Sequence, residues 1–101
     1  MSAQLPHTQT ERADLEKLAT ELGPYGLKTV LVTREGRLPY LDVLNPLAAT
    51  EVERIYSQGG SFWWPHAEII AQCDQLTAAA DAIASALRAT RPGSRHHQLG
   101  M

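Results

Sequence analysis

His66 and Glu68 stand two residues apart, a spacing at which a carboxylate can orient an imidazole for general acid–base work. The same pair could begin a metal site, but a stable site needs three or four ligands at characteristic spacing. The lone cysteine, Cys73, lies seven residues further on with no CxxC or HxxxH companion, so the sequence names neither a metal nor a cofactor. As a thiol without an activating neighbour, Cys73 reads as a small buried hydrophobe. Gly59-Gly60-Ser61 superficially resembles a phosphate or oxyanion loop, yet it lacks the G-x-x-x-x-G-K-[ST] pattern and no helix start follows it. No G-x-S-x-G elbow is present to hold a nucleophile. Arg34, Arg37 and Arg54 would share one edge if two hairpins are adjacent, a patch that could meet phosphate. Glu35, Glu51 and Glu53 lie between them, and the expectation is a neutralised, solvated salt-bridge face.

The loudest cluster is Phe62-Trp63-Trp64-Pro65-His66, which holds both tryptophans and the single phenylalanine of the chain. Alternation along a strand sends Phe62 and Trp64 to one face and Trp63 to the other. One side enters a core, and the other needs a helix, a partner or a ligand over it. Rigid aromatics supply apolar area at low entropic cost, which is why interfaces are rich in them. Trp63, Tyr40, Tyr56, Trp64 and His66 are therefore the candidate partner-binding residues, with no catalytic residue assigned.

The elements that must position these groups follow from patterning. Residues 1–8 read as a disordered lead, with T-x-x-E at Thr8–Glu11 as a capping box. Leu15, Leu18, Ala19 and Leu22 then recur at helical spacing, so a helix is predicted over 9–22, stopped by Gly23-Pro24. The β-branched stretch 27–34, a connection at Glu35-Gly36-Arg37 and the run 38–44 predict a hairpin, with Pro39 at a strand start or edge. Asn45-Pro46 ends it as a turn. Residues 47–57 fit helix or strand, and strand is favoured because the return strand at 62–64 needs a partner across the Gly59-Gly60 turn. Pro65 is expected to kink the chain before 67–71 continues as strand. Asp74 is expected to cap a last helix whose stripe is Leu76, Ala79, Ala80, Ile83 and Leu87, ended by Arg91-Pro92-Gly93. Residues 91–101 read as a mobile tail.

The predicted fold is thus α+β, in the order α-β-β-β-β-α, within a single domain over 9–90. Its antiparallel sheet has three to four strands, and both helices pack on one face. Neither helix is long enough to shield a face alone, so the opposite face is expected to be partly bare.

The 101 residues suit one domain, and the net charge of −2 argues against a large electrostatic footprint for nucleic acid. No apolar run reaches the ~20 residues of a membrane span. Met1 to Gln9 lack the basic start and apolar core of a signal peptide, and with a lone cysteine the expectation is a cytoplasmic protein.

The segments Gly36–Pro46 and Gly60–Ile70, followed by an alanine-rich last helix, resemble small actinobacterial proteins of unknown function. Those carry a V-x-N-P strand end and an F-W-W signature, present here as Val43–Pro46 and Phe62–Trp64. The resemblance runs from residue 10 to residue 90 and brings no activity or catalytic residue. It implies an accessory role, since such proteins sit beside helix-turn-helix regulators. The order of elements is also similar to secretion-chaperone-like folds, which are non-enzymatic dimers that hold a client. The expectation is a non-enzymatic protein-binding module, a homodimeric adaptor or regulatory accessory protein whose partner is itself or another cytosolic protein. Two alternatives come from other classes. One is a small enzyme using His66 with Glu68 or Asp42; the other is a weak nucleic-acid accessory using the arginines and the tail residues Arg91, Arg95, His96 and His97.

Overall fold

The computed structural model describes residues 5–48 and 52–89. Helix α1 spans Leu5–Leu22, followed by strands β1 (Lys28–Val32), β2 (Tyr40–Leu44), β3 (Val52–Gln58), β4 (Ser61–Trp63) and β5 (Ile69–Gln72), and helix α2 (Leu76–Ala86). The α+β reading holds, with five antiparallel strands in the simple order β1-β2-β3-β4-β5 instead of three to four. The favoured strand at 47–57 exists as β3, after a short 3-10 turn at Pro46–Ala48. The extra strand is β5. Its origin is a full reversal where a kink was expected. Trp64 and Glu68 close that turn, with Trp64 N–H donating to the Glu68 carbonyl at 2.8 Å, and Ala67 takes φ +66°.

Two helix starts also differ from the sequence reading. α1 begins at Leu5, inside the stretch taken as a lead, and runs through Thr8, so T-x-x-E is no cap there. Pro6 falls in the first turn, where its missing N–H has no intrahelical partner to lose. α2 begins at Leu76 with Gln75 at its N-cap and no side-chain cap bond, so Asp74 does not cap it. A turn that returns Gln75 N–H to the Gln72 carbonyl at 2.9 Å stands in between. The tail and Glu51 lie outside the described residues.

Both helices cover the same face of the sheet, as their stripes require. α1 lies on β1, β2, β3 and α2, and α2 lies on β5 and α1. Leu15, Leu18 and Leu22 of α1 and Ala79, Ala80 and Ile83 of α2 are fully buried against Leu41, Val43, Ile55 and Phe62 of the sheet. The alanines of α2 let it sit close, and burying a side chain the size of Phe62 stabilises by roughly 1.5–3 kcal/mol. α2 ends in a Schellman turn before Arg91-Pro92-Gly93 is reached. Arg88 takes the left-handed position (φ +60°), its N–H meeting the Ser85 carbonyl at 3.1 Å, while Ala89 N–H meets that of Ala84 at 2.8 Å.

Asn45, in the V-x-N-P strand end, ties this helix end to the sheet. Its buried side chain donates from Nδ2 to the Leu87 carbonyl at 2.8 Å and accepts from Leu47 N–H at 3.0 Å. That motif is a structural clamp between β2 and α2.

Candidate functional site

The face of the sheet away from the helices carries the candidate residues. Strand alternation puts Leu41, Val43, Ile55, Ser57 and Phe62 on the buried side, so their neighbours face outward. Cross-strand register then aligns one outward residue per strand. Val32 lies opposite Tyr40, Tyr40 opposite Tyr56, Tyr56 opposite Trp63, and Trp63 opposite Ile69. Three of the five partner-binding candidates, Tyr40, Tyr56 and Trp63, thus form one continuous row over β2, β3 and β4. The Tyr40 and Tyr56 rings meet edge-on, with centroids 5.9 Å apart. Trp63 Nε1 donates to the Gln58 carbonyl at 2.9 Å, which fixes the indole over the hairpin and satisfies its only polar atom.

Around this row the face stays open. Val30, Val52 and Ile69 are 60%, 57% and 54% exposed on β1, β3 and β5. At its centre Asp42 and Arg54, register partners on β2 and β3, form a two-point ion pair: Nε to Oδ1 at 2.9 Å and Nη2 to Oδ2 at 3.3 Å. This hydrogen bonding holds the Arg54 guanidinium protonated more firmly than usual. The same guanidinium lies 3.9 Å above the Tyr40 ring, and that of Arg34 lies 5.9 Å from it, two cation–π contacts on one tyrosine.

At one end of the face, the β1–β2 and β4–β5 turns rise beside two adjoining clefts that share Leu38 and Tyr56. The first, about 290 Å³, is walled by Trp63, Trp64, Pro65 and Ala67. The second, about 310 Å³, is walled by Arg34, Arg37, Tyr40 and Arg54. Trp64, half-buried just past β4, packs on the core and lines the first cleft, as the alternation of Phe62, Trp63 and Trp64 required.

His66 goes elsewhere. It sits exposed on the β4–β5 turn, 2.9 Å from Glu68, and lines neither cleft. Asp42 is taken by Arg54, and no hydrogen bond joins it to His66. Cys73 faces the helices, where its Sγ lies 3.4 Å from Ser57 Oγ, which in turn donates to Asp14 at 3.3 Å. Burial pushes the Cys73 thiol up, the opposite of what a nucleophile needs. Among the described residues no three of His, Cys, Asp and Glu are placed to hold a metal, and no helix is long and apolar enough to cross a membrane.

The three arginines gather as adjacency of the hairpins required; among the described residues the expected salt-bridging is met at Arg54, and Glu51 lies outside them. Arg54 pairs with Asp42. Glu53 is its neighbour along β3 and so belongs to the opposite side of the strand. Among the described residues Arg34 and Arg37 have no carboxylate within ion-pair distance. The sequence signal was there: a glycine turn between Arg34 and Arg37, and a strand position for Arg54.

No protein family, no characterised protein and no solved structure matches this chain.

Proposed function

We propose that this protein is a non-enzymatic protein-binding module that self-associates through the uncovered face of its sheet and serves as an adaptor. The observation that supports it is the row Tyr40–Tyr56–Trp63, flanked by exposed Val30, Val52 and Ile69, on a face that neither helix covers. Contiguous apolar surface rimmed by polar groups marks interaction sites. A second copy fits this face because the ion pair at its centre is self-complementary. A twofold axis between β2 and β3 sets Arg54 of one copy toward Asp42 of the other.

Size sets the strength. Five strands about 4.8 Å apart, with a length of about 17 Å, give a projected footprint near 400 Å² per copy. Two such faces bury roughly 800 Å² or somewhat more, below the range of stable interfaces and within that of weak, transient ones, so the association is reversible and not obligate. The test is sedimentation equilibrium of the full chain beside Trp63→Ala, with circular dichroism confirming that the variant folds. Truncating this aromatic in both copies costs about 2 kcal/mol in all, hence a dimer about 30-fold weaker. A wild-type chain that stays monomeric at every concentration contradicts the proposal, as does a variant that dimerises as well as wild type.

A further inference from the structure

The two clefts at the end of the open face differ in chemistry and share a wall. One is apolar and aromatic, with both tryptophans of the chain in it. The other is ringed by three guanidinium groups, of which, among the described residues, only Arg54 has an acidic partner. A net positive pocket next to an apolar one is the lining that fits a molecule with an anionic head and an apolar body. Together the clefts reach the volume range of small-ligand sites, which are mostly apolar with a few convergent polar groups.

We propose that these adjoining clefts bind a small amphipathic anion, its carboxylate or phosphate held by Arg34, Arg37 and Arg54 and its apolar body lying against Leu38, Tyr56, Trp63 and Trp64. Arginine suits the head because its planar fork meets two oxygens at once. Arg34 and Arg54 are already stacked on Tyr40, so little side-chain freedom is lost on binding. Leu38 and Tyr56 stand between head and body and set the length of ligand that can span both clefts. The site shares Tyr40, Arg54, Tyr56 and Trp63 with the association face, but its head-group end also stands on Arg34 and Arg37, which self-association does not use.

Because both tryptophans line the site, their fluorescence reports it directly. The experiment titrates the full chain with 4-phenylbutyrate and with phenyl phosphate, and in parallel with the neutral 4-phenylbutan-1-ol. Saturable quenching is expected from at least one acid, at least tenfold tighter than from the alcohol. The tighter of the two acids then identifies the head group. The double variant R34Q/R37Q changes only exposed turn side chains, and its acid binding is expected to fall at least tenfold while its circular dichroism is unchanged. The inference is overturned if neither acid saturates up to about 10 mM, weaker than a fragment-sized site should be. It is equally overturned if the alcohol binds as well as the acid, or if R34Q/R37Q binds the acid like wild type. Sedimentation of R34Q/R37Q separates this from the proposed function. Failed acid binding with intact dimers sinks only the ligand site, and acid saturation of a chain that never dimerises sinks only the adaptor reading.

Discussion

Replacing Asn45 by alanine should destabilise the fold by about 2–3 kcal/mol, although the residue lies in no helix or strand. Its Nδ2 is the donor to the Leu87 carbonyl, which closes the buried end of α2 at 2.8 Å. Removing that donor leaves a buried carbonyl unsatisfied, at about 1–3 kcal/mol. The second bond, from Leu47 N–H to Oδ1, matters less. Leu47 is 95% exposed, so water replaces the lost acceptor at about 0.5 kcal/mol. With a urea m-value of about 1.5 kcal/mol/M, the unfolding midpoint drops by about 1.3–2 M. Asn45→Asp separates the hydrogen bond from packing. It keeps shape and acceptor but sets a carboxylate oxygen against the Leu87 carbonyl, which raises the folded-state pKa of the carboxyl above its unfolded value of about 3.9. An acid whose folded pKa is raised is destabilising once the pH exceeds its unfolded value. The penalty is therefore absent well below pH 3.9 and complete once the pH passes the raised value. Urea melts of the three chains at neutral and acidic pH check this. An Asn45→Ala effect below 0.5 kcal/mol, or an Asn45→Asp penalty that does not change with pH, refutes the clamp.

Other perturbations follow from single features. Gly60→Ala forces a methyl-bearing residue into φ +81° with no steric neighbour to add to the strain. It should cost about 1–2 kcal/mol in a thermal melt, whereas Gly59→Asn, at the first position of a type I′-like turn, should be close to neutral. Cys73, its thiol raised by burial, should be alkylated at pH 8 more slowly than an unstructured thiol. By linkage, a raised thiol makes stability fall as pH climbs above the unfolded value of about 8.5, and Cys73→Ala should remove that slope. If alkylation proceeds at the free-thiol rate, the packing of Cys73 beneath the helices is wrong. Trp63→Phe should retain more of the self-association than Trp63→Ala, since it keeps a ring in the row; equal loss in sedimentation would assign the effect to the Nε1 bond to Gln58.

How much of this was legible in the sequence depended on the range of the interaction. The helix stripes and both hairpin turns announce themselves locally, through the 3.6-residue spacing of Leu15, Leu18 and Leu22 and the paired glycines 59 and 60. Strand alternation then put Tyr40, Tyr56 and Trp63 within one row, since period-two patterning and short turns leave little freedom of register. The sequence marks 67–71 as strand but only as a continuation past a kink, because the turn that makes β5 a separate strand has no glycine. Ala67 takes the left-handed conformation, and Pro65 reads as a kink. The Asn45 clamp joins residues 42 apart, which no local pattern displays. His66 was drawn toward the site by its neighbours in sequence, but the reversal at 64–68 carries it onto the exposed turn. The arginine cluster was visible. Which carboxylate meets it is not local: Glu53 and Arg54, adjacent on one strand, face opposite sides, and the partner of Arg54 is Asp42 across the strand pair.

The proposed contact between two copies at the uncovered sheet face can be read residue by residue in a dilution series followed by amide chemical shifts. From about 1 mM downward, concentration-dependent shifts should cluster at Val30, Tyr40, Arg54, Tyr56, Trp63 and Ile69 and spare the outer surfaces of α1 and α2. Shifts centred on the helices, or none across the series, would contradict it.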